Sequence, residues 1–173
     1  MQRGAQPWAT IRAVSANPLV GTALLGVHLA AVWFCAGLVW VIQLLVYPGF
    51  AAHVGPVGSG PDWETVHARH TRLMGLLVTG PWALQGLTCA VLLVWRPPGV
   101  PLVAALAAGV CGAVTVAVTV GVSVPCHQRL ARGWDPAVHA RLVRTNWWRT
   151  AAWTLGGVVA LVMLVLASTG LAA

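Results

Sequence analysis

Four stretches of this chain contain no aspartate, glutamate, lysine or arginine: residues 13–61, 73–95, 97–128 and 150–173. A helix that crosses a bilayer needs about 20 predominantly apolar residues, so each stretch holds one crossing and none comfortably holds two. With 8% charged and 58% hydrophobic residues, the chain has too little polar surface to coat a water-soluble core. The expected fold is all-α, an integral membrane four-helix bundle forming one transmembrane domain over residues 1–173. Its helices are expected at about 20–48, 72–95, 101–124 and 148–170, with short interfacial helices in the two long loops.

The first apolar run, residues 19–50, far exceeds the roughly 7–15 residues of a secretion-signal core and is read as a permanent helix. All ten cations are arginine. The expected helix ends put Arg69, Arg72, Arg129, Arg132, Arg141, Arg144 and Arg149 on one side, and Arg3, Arg12 and Arg96 on the other. The positive-inside bias then sends both long loops to the cytoplasm and both termini outward, in a bacterial inner membrane. The net charge of +7 is explained by topology and lipid headgroups, since the arginines flank helices and form no separate basic domain; no nucleic-acid partner is expected. The four cysteines show no C-x-x-C spacing, which argues against a disulfide framework.

Local signals place the helix starts and stops. Asn17-Pro18, Pro61-Asp62-Trp63-Glu64 and Asp135-Pro136 read as helix starts, while Pro48-Gly49 and Pro125 read as helix ends. At 3.6 residues per turn His28, Cys35, Gln43 and Val46 share one face, which should look into the bundle because imidazole and amide groups are costly against lipid. His139, Asn146 and Arg149 lie roughly along one stripe, and Trp147 and Trp148 suit an interfacial belt.

Three constellations carry possible chemistry. The first gathers His53, Glu64, His67, His70, His127 and His139 at the cytoplasmic mouth, supported by Asn146 and Arg149. Imidazoles with a carboxylate suit iron, copper or zinc, and His67, His70, His127 and Glu64 are the candidate metal ligands. With three acids in the chain a di-iron carboxylate centre is not expected; a His-dominated metal or a haem edge fits better, and loop histidines meeting headgroups and water is the plain alternative. The second places His28 deep, at a level shared with Cys89, Cys111 and Met163. His28 is a candidate cofactor ligand or proton-handling group, whereas the sulfur residues also suit ordinary helix packing. The third is Arg149, which either anchors the last helix at the interface or caps an internal site, pairing with Glu64 or a substrate acid. A Gly-rich phosphate loop, a serine-hydrolase elbow and an H-E-x-x-H zinc pair are all missing.

The run A-G-L followed by Y-P-G-F near the end of the first helix, V-P-C-H-Q-R-L-A over 124–131 and T-N-W-W-R-T over 145–150 resemble the small four-helix membrane family that includes anthrone oxygenases. In that family a V-P-x-N-x-x-L segment ends the third helix and N-x-x-R-T opens the fourth; His127 and Arg129 depart from it here. A fainter similarity is to HemJ-type protoporphyrinogen oxidases and CopD-like copper-resistance proteins. It rests on a first-helix histidine ahead of a W-F…A-G-L run, here His28, Trp33, Phe34, Ala36, Gly37 and Leu38. Both resemblances imply oxidation of a flat aromatic or tetrapyrrole-like molecule within the membrane. The expected function is thus a membrane oxidoreductase with His67, His70, Asn146 and Arg149 as catalytic residues, acting on a hydrophobic small molecule with haem or a transition metal. A non-catalytic membrane subunit or small-molecule carrier is the other reading, and a homo-oligomer or a partner membrane subunit is compatible with both.

Overall fold

The computed structural model describes residues 17–54 and 62–169, and the side chain of His53, expected at the cytoplasmic mouth, lies outside what it describes. It contains four long helices: α1 (Pro18–Phe50), α2 (Trp63–Val94), α3 (Leu102–Leu130) and α4 (Pro136–Thr169), each long and apolar enough to cross a membrane. No strand occurs among the described residues. Three of the helix starts follow the sequence signals. Asn17 accepts from the Leu19 N–H, Asp62 from the Thr65 N–H at 2.8 Å, and Asp135 from the Ala137 and Val138 N–H groups. Each carboxylate or amide satisfies donors that the first helical turn leaves free.

Consecutive helices are antiparallel neighbours, as the contacts at the two ends show. At one end Gly21 of α1 lies against Pro97 of the α2–α3 turn, and Gly99, held at φ +84°, lies against the Leu166 and Ala167 backbone of α4. Only glycine takes that backbone conformation without strain, and a side chain there would also strike the Leu166 carbonyl. The opposite end collects Tyr47, Phe50, Trp63, Cys126, Leu130 and Leu142. Midway, Gly157 of α4 lets the Trp33 indole of α1 lie directly on the helix backbone; an added Cβ would sit 2.8 Å from the ring. Small residues at such crossings let helices approach closely where no hydrophobic drive separates them from lipid.

The outer surface is apolar: Leu45, Leu76, Leu87, Val103 and Val110 are each more than 60% exposed. The interior, by contrast, holds His28, Gln43, His67, Gln85, Thr88, Asn146 and Arg149. This inversion is what a lipid-facing bundle requires.

Two expectations are corrected. The interfacial segments in the long loops are not separate helices: residues 63–71 are the first turns of α2 and residues 136–147 those of α4. Nor do Pro48 and Pro125 end helices. Each comes just after a five-residue π-helical turn, Ile42–Val46 in α1 and Thr119–Ser123 in α3, in which Tyr47 N–H bonds Ile42 O and Val124 N–H bonds Thr119 O. A proline ring ordinarily collides with the carbonyl four residues back, and the widened turn makes room for it, so α1 runs on to Phe50 and α3 to Leu130.

The extra residue in the first π turn also rotates the rest of α1 beyond it. In a regular helix Val46 shares the inward face of His28; with one residue inserted, Tyr47 takes that place and is 2% exposed.

Two outcomes test this fold. Gly157→Val should lower stability in detergent by about 1–3 kcal/mol by driving α4 off the Trp33 ring, while Gly112→Ala, with open space around it, should be neutral or slightly stabilising in the same thermal melt. Hydrogen bonds from the Thr65 hydroxyl and N–H hold the Asp62 carboxyl below its ordinary value of 3.8. A depressed carboxyl contributes above its unfolded pKa and loses that contribution as pH falls through the folded one. The protection factors of amides in the first turn of α2, intrinsic rates divided by the observed rates at each pH, should therefore fall on acidification and be insensitive to the same pH change in Asp62→Asn.

Candidate functional site

The polar end of the bundle encloses a cavity of about 470 Å³ lined by all four helices. α1 supplies Ile42 and Tyr47, α2 a strip from His67 through Met74 and Val78 to Trp82, α3 Thr119, Ser123 and His127, and α4 Arg149. The exposed residues Gly75, Thr79, Val124 and Gln128 border it, so it opens sideways between α2 and α3. Three turns of α2 therefore form an apolar wall opposite a polar floor.

On that floor His67, His127 and Tyr47 form one hydrogen-bonded chain, with Arg149 and Ser123 paired beside it. His67 Nε2 lies 3.1 Å from His127 Nδ1, and His127 Nε2 lies 3.3 Å from the Tyr47 hydroxyl. The Arg149 guanidinium lies close to Tyr47 and donates from Nη1 to Ser123 Oγ at 3.3 Å. His70 completes the group beside His127, its ring centre 5.7 Å away.

Aromatic rings hold these imidazoles in place. Phe50 meets His70 edge-on at 4.9 Å, Trp63 lies 5.1 Å from His67, and Trp134 packs between Trp63 and His139. Trp63 is itself pinned by its indole N–H donating to Leu130 O at 2.7 Å, which ties the start of α2 to the end of α3. His139 Nε2 lies 2.9 Å from the Tyr47 carbonyl oxygen and therefore donates to it.

Of the residues expected from sequence, His67, His70, His127 and Arg149 meet in this cavity. Arg149 is 8% exposed and stacked 5.1 Å over Trp153, so it is an internal group and not an interfacial anchor. Its expected pairing with Glu64 does not occur: Glu64 is exposed on the first turn of α2, and the ion pair found among the described residues is Arg129–Asp135. Asn146 is fully buried but not in the cavity lining. Its amide donates to Gln43 Oε1 at 2.8 Å, cross-linking α4 to α1.

His28 also sits apart, buried in the bundle, with Nδ1 2.8 Å from the Thr88 hydroxyl. Since that hydroxyl donates to Leu84 O, its lone pair receives the Nδ1 proton, and Nε2 is left bare and without a partner. Cys89 and Met163 pack with Leu25 and Leu92 in the apolar layer nearby, and all four cysteines are free thiols.

Of the expected metal set, His67, His70 and His127 share the cavity, while Glu64 lies outside it, exposed on the first turn of α2. Among the described residues no three His, Cys, Asp or Glu groups are placed to hold one ion, and both nitrogens of His127 are engaged by His67 and Tyr47. The chemistry that this end offers through its own side chains is acid–base. Sequence reasoning missed Tyr47, Thr119 and Ser123; the Y-P and V-P pairs that mark the π turns were the available signal.

Comparison of the chain with protein-family models, with curated proteins and with solved structures yields no match.

Arg149 depends on the layer behind it. Trp153 donates its indole N–H to Gln85 Oε1 at 2.8 Å, both groups buried. Gln85→Leu should orphan that N–H and cost about 1–3 kcal/mol in detergent unfolding, while Leu84→Ala on the exposed face of the same turn should cost under about 1 kcal/mol.

Proposed function

We propose that the chain is an integral membrane oxidoreductase that takes a flat hydrophobic molecule into the cavity and activates it for oxidation by removing a proton. The observation that carries this reading is the meeting of Tyr47, His67, His70 and His127 at the polar end of an otherwise apolar cavity. The apolar exterior and four long helices support insertion in a bilayer, which we take to be a bacterial inner membrane. Arg69, Arg72, Arg129, Arg132, Arg141 and Arg144 are exposed at the histidine end against Arg96 at the other, so the histidine end is cytoplasmic and both termini lie outside.

In this reading an imidazole accepts a proton from an acidic C–H or O–H of the substrate, and the Tyr47 hydroxyl and Arg149 guanidinium face the oxygen on which negative charge develops. Proton transfer by a positioned side chain is worth about 10²–10⁴-fold in rate, more so in a site from which water is excluded. His67, hydrogen-bonded behind His127, passes the proton toward the loop side. Asn146 and Gln43 fix the spacing of α1 and α4 and so act as positioning residues. The resemblance to anthrone oxygenases suggests the reaction class, with dioxygen as oxidant.

The test uses anthrone as probe, with purified protein in detergent and a detergent blank. One anthrone and one dioxygen give one anthraquinone and one water, so oxygen uptake and product absorbance must agree. The expected result is uptake well above the blank, reduced about 100-fold in His127→Phe. Uptake at the level of the blank with folded protein would remove the oxidation reading and leave the carrier or subunit reading. An optical spectrum and elemental analysis of the same sample read whether haem, iron or copper accompanies the chain.

A further inference from the structure

Arg149 is a charge without a counter-charge. All three acidic side chains of the protein lie among the described residues: Asp62 at the exposed α2 cap, Glu64 exposed beside it, and Asp135 3.8 Å from Arg129. None faces the cavity. What Arg149 does have is a long bond to Ser123, a phenol, and an indole face, all of them neutral. A buried cation is normally matched by an anion, because neutral dipoles and a ring quadrupole replace only part of its hydration.

Two further atoms point the same way. Arg149 Nε and Thr119 Oγ1 are both buried without a hydrogen-bond partner, and both residues line the cavity. Thr119 belongs to the π turn of α3, the same irregular turn that carries Ser123 to Arg149. A guanidinium and a hydroxyl, both unsatisfied and both on residues that line one void, match an oxyanion, which accepts from several donors at once. Along α2 the void is bounded mainly by the apolar bodies of Met74, Val78 and Trp82, with Thr71 and Thr79 between them and no charged group.

We propose that the cavity is a binding site for a mainly apolar molecule carrying a single oxyanion (a carboxylate, phenolate or enolate), with Arg149 and Thr119 holding the anionic oxygen. The occupant arrives laterally, through the opening between α2 and α3 bordered by Gly75, Thr79 and Val124, with its apolar body against α2. The proposal rests on the cavity being the substrate site but not on any oxidation taking place there. The same chemistry also describes an anionic lipid headgroup, and the source is settled by the membrane composition used.

The experiment compares 9-anthracenecarboxylate with 9-anthracenemethanol, which share the ring and differ in charge, by energy transfer from the protein's tryptophans. The full chain is held in phosphatidylcholine nanodiscs at pH 7.5, with empty discs correcting for partition. The carboxylate should bind one per chain and about tenfold or more tighter than the alcohol, as expected for charge-assisted hydrogen bonds. Arg149→Gln should abolish that preference and leave alcohol binding unchanged, which also reports that the variant is folded. Should Arg149→Gln fail to fold, Thr119→Val decides by reducing the preference severalfold. Adding phosphatidylglycerol to the discs should leave carboxylate affinity unchanged for a free substrate acid and weaken it for a lipid headgroup; either result keeps the oxyanion site. Equal affinity for the two probes, or a preference that survives both variants, overturns the proposal. Charge preference without anthrone turnover would retire the oxidation reading alone, and turnover without charge preference would retire this one alone.

Discussion

The organising constraint is an exterior that offers no hydrogen bonds. With leucine and valine covering the outside of all four helices, every polar side chain within the apolar length must find its partner inside or on its own backbone. Threonines at 71, 79, 145, 150, 154 and 169 satisfy themselves on carbonyls three or four residues back. Groups too large for that solution cross between helices: Asn146 to Gln43, Trp153 to Gln85, Trp40 to Thr154, His28 to Thr88. These cross-links set the spacing of the helices at several depths. Around Arg149 and Thr119 they leave two unpartnered polar atoms on residues that line the cavity.

Packing and polarity divide the bundle along its length. The end near Val100 is filled by Leu25, Leu92, Ala108, Ala160 and Met163, with backbone close enough at Gly99 to forbid a side chain. The middle is filled by Trp153 and the small residues of α1 around Ala36. Only toward the histidine end do α2 and α3 part, where the two π turns have displaced their side chains from regular helical positions. Irregular hydrogen bonding in α1 and α3 and a cavity between helices therefore occur at the same level.

Much of this was legible in the residues. Uncharged length gave the four helices, and the caps at Asn17, Asp62 and Asp135 were visible because their side chains act within two or three residues of their own position. The inward stripe of Asn146 and Arg149 came from regular helical periodicity, which holds through α4. Periodicity failed where the helix itself departs from 3.6 residues per turn. Val46 was the expected inward residue and Tyr47 is the actual one, because a single inserted residue turns the face by about 100°. The gathering of His67, His70 and His127 was expected from their shared end of the bundle. Their engagement with one another could not be read, since it depends on ring directions that only packing against Phe50 and Trp63 decides.

Gly99 and Pro97 fasten one end of the molecule like the spring of a clothes-peg, locking the α2–α3 hairpin to α1 and α4. Jaws attached to such a spring can spread at their tips while the spring stays shut. The gap beside Gly75 and Val124 lies away from the contacts around Met163 and Leu92, so widening it would leave that end of the bundle packed.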